Sequence, residues 1–395
     1  MIKVICVADY YLPGFKGGGP IRTIANMRKM LREYVEIAIF TRDRDLGSDH
    51  PYSSIQANCW TETADGPIYY ACPKKFTASG LKEAIEGKAY EILYLNSFFS
   101  YRGSIEIYQQ LKRRLKTMRI LLAPRGEFSI GALNLKRNKK RAYLKLCRLF
   151  GCYSEIYWHA STANEHEDIV RQFPSAVQRI YIAEDPVDIG EPPGQSFESP
   201  KSKPGILRLA FISRISPMKN LDGLLRILAM TTRRIELDIY GPIEDAEYWN
   251  NCQRLIALVP RSVIVAYKGV LEPESVSSVF AEYDLFAFPT QGENFGHVIF
   301  EALRVGTPVL VSDKTPWKED RDGALNVLPL SNEMAWSEYL NAAADRGVDA
   351  KLKMRQSVRT YAENFANSSG IIEKNLAMFF AISRKTASVQ KQRLD

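Results

Sequence analysis

Short runs of β-branched and aliphatic residues recur along the chain at 2–8, 35–41, 68–72, 91–96, 119–124, 155–160 and 179–183, with helix-like or loop segments between most of them. Such alternation predicts a parallel sheet covered by helices on both faces. The pattern then breaks: residues 185–204 hold five prolines, which neither a helix nor a central strand accommodates, so a linker is expected. Strand-like runs resume at 206–212, 235–240, 263–267, 284–288, 308–312 and 325–328. Helical patterns at 220–231, 245–258, 273–282, 297–304 and 332–345 separate them, and 349–384 is helical with no further strand. The pattern predicts two doubly wound α/β domains in tandem, 1–190 and 205–370, joined by a Pro-rich linker at 191–204. The last helix, in 371–395, is expected to pack back on the first domain before a tail. Ligands of open α/β sheets sit at the carboxyl ends of the strands, so the expected site is a cleft between the domains.

Composition agrees with this picture. At 395 residues, 46% hydrophobic and 25% charged, the chain is a globular protein too long for one ordinary core. Its longest apolar runs, such as 305–311, fall far short of the roughly 20 residues of a membrane span. The N-terminus reads as a first strand, not a signal peptide. Six scattered cysteines without metal-type spacing suggest reduced thiols and a cytoplasmic protein. Net charge is +8, and the excess gathers in 112–119 and 136–148. These are either solvated helix faces or a basic surface for anionic lipid headgroups, which would make the protein peripheral on the inner face of a membrane. Aromatic–basic interleaving is absent, so nucleic acid is not expected as a partner.

Several strand ends carry candidate chemistry. Gly17-Gly18-Gly19-Pro20 follows the first strand and feeds a helical stretch, Ile21–Tyr34. It is either a flexible turn or an anion site where backbone approaches a ligand closely, and it lacks both the dinucleotide and the P-loop fingerprints. Arg214 ends a buried strand and Lys219 follows in the next loop. They are either ordinary strand-end cations or a pair holding a diphosphate. In Pro289-Thr-Gln-Gly-Glu293-Asn-Phe-Gly296-His-Val-Ile-Phe-Glu301, one carboxylate lies in a loop and one within a helix. Were 294–301 helical, the two would stand about 12 Å apart along the axis, too far to share one bond as a glycosidase pair does. Separate contacts to a sugar and a ribose suit them better. Asp43-Arg-Asp45 and Asp320-Arg-Asp322 match a metal–diphosphate string but read as solvated loops, and no metal is expected.

Glu293-Asn-Phe-Gly-His-Val-Ile-Phe-Glu301, with Ala302 and Gly306-Thr-Pro-Val, closely resembles the E-x7-E signature of retaining glycosyltransferases of family 4. Ser213-Arg214…Lys219-Asn220 is similar to that family's phosphate-binding segment. Ile239-Tyr-Gly241 and Tyr267-Lys-Gly269-Val270-Leu271 resemble its strand-end glycine turns, the second bordering the base. Trp158-His159-Ala-Ser-Thr…Glu165 and Asp185-Pro-Val-Asp188 resemble the end of its first domain.

The resemblance implies the GT-B fold, two Rossmann-like domains facing a central cleft. It also implies transfer of a hexose-type sugar from a UDP or GDP donor to a lipid-linked or oligosaccharide acceptor in surface-polysaccharide assembly, without a cofactor. Arg214 and Lys219 would neutralise the leaving diphosphate on one flank. Glu293 on the sugar and Glu301 on the ribose would form the other. Peptide groups around Asn294, Phe295 and Gly296 would meet the sugar, and those of Gly18 and Gly19 the phosphates. Where many members carry a histidine, this chain reads Ala123-Pro-Arg125-Gly-Glu127, with Arg125, Glu127 and His159 as candidate sugar or acceptor contacts. Asp185 stands where the family usually has Asn. A sugar-nucleotide epimerase of the same architecture is the enzymatic alternative, and a non-catalytic nucleotide-sugar-binding or membrane-surface protein is another. A nicotinamide oxidoreductase is disfavoured by the missing fingerprint.

Overall fold

The computed structural model describes residues 1–112, 118–134, 137–187, 205–320, 322–368 and 370–383. The chain divides into two compact units, Met1–Pro186 with the segment from Gly370, and Val187–Ser369. The expected linker at 191–204 lies outside the described residues.

Among the described residues the first unit holds eight strands: β1 (Ile2–Ala8), β2 (Val35–Arg42), β3 (Trp60–Thr61), β4 (Ile68–Ala71), β5 (Ile92–Asn96), β6 (Arg119–Ala123), β7 (Tyr157–Ala160) and β8 (Ile180–Ile182). Their order is β3-β4-β2-β1-β5-β6-β7-β8, parallel except for β3 against β4. Strand β3 is too short to leave a periodic signal in the sequence. Successive side chains of β1 point to opposite faces. Ile2, Val4, Cys6 and Ala8 join Ile24, Met27 and Leu31 of the helix Gly19–Leu31. Leu376, Met378, Phe379 and Ile382 of the helix Ile371–Ile382 complete that face. Ile5 and Val7 enter the other, where Phe98, Phe128, Trp158 and Phe173 cluster.

In the second unit, β9 (Ile206–Ile212), β10 (Arg234–Tyr240), β11 (Val263–Gly269), β12 (Leu285–Phe288), β13 (Val309–Ser312) and β14 (Leu325–Leu328) pair in parallel in the order β11-β10-β9-β12-β13-β14. The helix Val348–Ser368 is lashed to this unit by Arg355, whose guanidinium donates to the carbonyls of Ala281, Tyr283 and Val305. Two of these close the ends of the helices Val276–Ala281 and His297–Arg304, where backbone acceptors lack intrahelical partners. The helical tail expected over 349–384 is broken at Gly370, which adopts a φ of 58° before the last helix.

Each sheet has a switch point. Strand β1 lies between β2 and β5, and β9 lies between β10 and β12. The order in which the chain adds strands reverses there, and in open α/β sheets such a point, beyond the carboxyl ends, is where ligands bind. The glycine-rich loop follows β1, and the Arg214–Lys219 loop follows β9.

Candidate functional site

At the switch point of the second sheet, the loop after β9 and the loop after β12 are knitted together. Asn220 Nδ2 donates to the Pro289 carbonyl at 2.8 Å, and the Gln291 amide to the Met218 carbonyl at 2.8 Å. Thr290 Oγ1 donates to the same Met218 carbonyl at 3.1 Å, while Ser312 Oγ holds the Thr290 carbonyl. Asn220 has φ 57°, a left-handed conformation that asparagine tolerates better than most residues. This lattice, mostly of side-chain-to-backbone bonds, brings Lys219 Nζ onto Glu293 Oε1 as an ion pair, with each side chain 13% exposed. The family resemblance implies these groups on opposite flanks of a ligand; in the structure they are in direct contact, with Thr290 bonded to Met218 between the two loops.

Glu293 stays in the loop, since the following helix begins only at His297. Gly296, with φ 81°, caps that helix; a β-carbon there would lie 2.9 Å from Ile299 Cδ1. Glu301 is half-buried within the helix, between the buried Phe300 and Ala302. Phe295 is buried, its carbonyl accepting from Trp317 Nε1 at 2.6 Å, and Asn294 is half-buried. Arg214 lies further out, its guanidinium 2.9 Å from Glu244 and both side chains more than 40% exposed. Exposed pairs of this kind contribute about 0–1 kcal/mol, so Glu244 holds Arg214 only weakly.

The two glycine turns read separately from the sequence form one unit. The Gly241 amide donates to the Gly269 carbonyl at 2.8 Å, and Tyr267 OH to the Gly241 carbonyl at 2.9 Å. A β-carbon on Gly241 would fall 1.9 Å from the Ser213 carbonyl oxygen, so glycine is required there for backbone packing. Gly269, with φ 88°, faces open space; Val270 beyond it is exposed and Leu271 half-buried.

In the first unit, Gly18 has φ 77° with open space where a β-carbon would go. Its amide, expected to be available to phosphate, donates to the Phe15 carbonyl at 3.0 Å. That bond closes the turn ahead of Gly19 and Pro20, which open the helix Gly19–Leu31. The loop is anchored by Asp45, whose carboxylate accepts from the Phe15, Lys16 and Leu46 amides. Asp43 and Asp45, read from sequence as solvated, are both buried. A three-residue string carries no sign of this. Asp320 accepts from the Asp322 and Ala324 amides.

Arg125, Glu127 and His159, the candidate sugar or acceptor contacts, each hold protein partners. Arg125, at φ 56°, turns its guanidinium inward onto Asp185 Oδ1 at 2.7 Å, Asn96 Oδ1 at 2.9 Å and Tyr94 OH at 2.6 Å. Asp185 also accepts from Thr23 Oγ1 at 2.8 Å. Glu127 accepts from Ser97 Oγ and the Phe98 and Phe99 amides, and burial raises its pKa. His159 is fully buried between Tyr94 OH at 2.5 Å and the Ala183 carbonyl at 2.7 Å. Its Nε2–H donates to the carbonyl, so Nδ1 accepts from a tyrosine hydroxyl that itself accepts from Arg125. Burial, reinforced by the Arg125 charge, lowers the His159 pKa from 6.5 to about 4. These three residues clamp the Pro-Arg-Gly turn to its neighbours, aided by Glu165, which accepts from the Gly126 amide at 2.6 Å. Asp185 is thus a working part of the turn, and Asp188 lies outside the described residues.

Among the described residues no three His, Cys, Asp or Glu side chains gather as a metal site, and no helix is long and apolar enough to cross a membrane. The basic stretch at 113–117 and Lys136 lie outside the described residues.

A family model described as "Glycosyl transferases group 1" matches residues 195–362, which include Arg214, Lys219, Glu293 and Glu301. The chain is 28% identical over 258 residues to D-inositol 3-phosphate glycosyltransferase of Nocardia farcinica (strain IFM 10152), covering 60% of this chain and 55% of that protein. It is 31% identical over 115 residues to O-antigen chain mannosyltransferase B of Escherichia coli, covering 28% of this chain and 29% of that protein. The matches span about half the length of the first such relatives. Anabaena Alr3699/HepE, solved with UDP and glucose, superposes with a TM-score of 0.68 at 14% identity, over 95% of this chain and 98% of that one. With its two parallel α/β units, the chain has the GT-B fold of glycosyltransferases.

Proposed function

We propose that this chain is a retaining glycosyltransferase of family 4, moving a hexose-type sugar from a UDP or GDP donor to a lipid-linked or oligosaccharide acceptor in surface-polysaccharide assembly. One observation carries the reading: the Lys219–Glu293 ion pair at the switch point of the second sheet, with Glu301 on the helix that follows. A diphosphate offers Lys219 more negative charge than one carboxylate does. On donor binding the ammonium would turn to phosphate and release Glu293 to accept from sugar hydroxyls. Arg214 leaves an exposed partner for the same anion, and Glu301 accepts from the ribose. The exposed Val270 offers apolar surface to the base. Cations held where charge develops on the leaving group stabilise the transition state without covalent help, and this scheme needs no metal. The family-model match through this segment and the glycosyltransferase relatives support the reading.

A thermal-shift screen against UDP, GDP and ADP sugars tests it first, since a ligand at a hundred times its dissociation constant stabilises by about 2.7 kcal/mol. The matching donor should shift the wild type and shift Lys219→Gln much less. The proton spectrum of the transfer product should then show the donor's own anomeric configuration. A silent screen would sink the reading. Conversion of the donor to an epimer without any acceptor would replace transfer by epimerisation, and binding without turnover would leave a binding protein.

A further inference from the structure

The helix Arg137–Leu149 in the first unit contains no acidic residue. It is pinned on one side: Leu144 and Cys147 are buried, Tyr143 OH meets Tyr153 OH at 2.7 Å, and Lys140 Nζ reaches the Ala132 carbonyl at 2.7 Å. The opposite side carries two parallel rows. Arg141, Lys145 and Arg148 recur at helical spacing, all exposed; Ala142, Leu146 and Leu149 form the neighbouring row, about 100° further round, also exposed. Phe150 continues the apolar row, and it and Leu149 are each 73% exposed, with Leu146 at 53%. A helix stabilised only by its buried side has no packing reason to leave a leucine row bare beside a cationic one. The combination suits an interface that is anionic on its surface and apolar just beneath.

We propose that this face docks on an anionic lipid bilayer, the helix lying in the interface plane. Arg141, Lys145 and Arg148 would meet the headgroups while Leu146, Leu149 and Phe150 enter the acyl boundary. Charge complementarity selects the lipid surface, and the leucine row separates it from a soluble polyanion, which would gain nothing from bare leucines.

The test uses the full chain, sedimented with vesicles of phosphatidylcholine alone or mixed with phosphatidylglycerol. The wild type should partition onto the mixed vesicles, less so as salt rises, and stay in solution with phosphatidylcholine. Arg141→Gln/Lys145→Gln/Arg148→Gln should weaken partitioning about a hundredfold at low ionic strength. Leu146→Ser/Leu149→Ser/Phe150→Ser should weaken it at least about tenfold. Phe150→Trp, otherwise wild type, should shift its emission to the blue on mixed vesicles only. All these side chains are exposed, so the variants should keep the wild-type unfolding midpoint. A wild type that stays in solution with both vesicles overturns the proposal. So does a serine variant that partitions like wild type, since the contact would then be one of charge alone, as with nucleic acid or an acidic protein.

Discussion

Each unit places a cation against a carboxylate near its sheet's carboxyl ends, and the two pairs are built differently. In the first, Arg125 and Asp185 are 5% and 4% exposed, and tyrosine, asparagine, threonine and histidine side chains close the network around them. In the second, Lys219 and Glu293 keep 13% exposure each, on two loops held together by the Asn220 and Thr290 side chains, which donate to backbone carbonyls. A desolvated pair cannot change partners without leaving a charge stranded, so it serves to fix a turn. A pair with solvent on one side can exchange one anion for another. Under the proposed function, the contrast would make Lys219–Glu293 the chemical pair and Arg125–Asp185 scaffold.

The strongest way to break this comparison is Arg125→Ala. It removes the ion-pair partner of the buried Asp185, and should lower stability by about 3–5 kcal/mol in urea unfolding. The double change Arg125→Met/Asp185→Asn should recover much of that loss. A wild-type midpoint for the single variant would mean the network is not structural. Next, Lys219→Gln should cut the transfer rate by roughly a hundred- to a thousandfold while moving the unfolding midpoint far less than Arg125→Ala does. Equal losses of stability would erase the distinction between the pairs.

The third prediction concerns His159. Its folded pKa is about 4 against an ordinary 6.5, so between those values the unfolded chain binds the extra proton. Stability should therefore be complete above pH 6.5 and fall as pH drops through that window to about 4, by about 3 kcal/mol in all. His159→Gln should flatten that slope, and an unchanged slope would assign the acid sensitivity elsewhere. The smallest effect is expected at Gly18, where alanine meets open space and only a backbone of φ 77° and ψ −146°, a conformation suited to glycine, penalises it, by about 1–3 kcal/mol. Gly241→Ala should cost more, because its methyl would strike the Ser213 carbonyl. A reversed ranking would mean the Gly18 turn is also tightly packed.

The described strands other than the two-residue β3 were legible because buried parallel strands are largely apolar, a pattern visible in residues 206–212 or 308–312 without any neighbour. The Lys219 and Glu293 loops were legible too, since each follows such a strand. Asp45 and His159 were not. Asp45 is separated by about thirty positions from the Phe15 and Lys16 amides it holds, and His159 by 65 from Tyr94. Nothing local distinguishes a buried clamp from a solvated loop or an open ligand contact. The same limit explains why Arg125 read as a candidate sugar contact: its left-handed backbone and inward side chain depend on partners from β5, the stretch after β8 and the helix Gly19–Leu31.

From residue pattern alone follow two parallel α/β units, the ends of their strands, and the loops that bear cation, glycine and carboxylate. These properties depend on neighbours a few positions away, through the pleat of a strand and the turn of a helix. Which charges stay available and which are walled in was decided only by tertiary structure. Desolvation depends on everything packed around a group, and those neighbours come from distant parts of the chain.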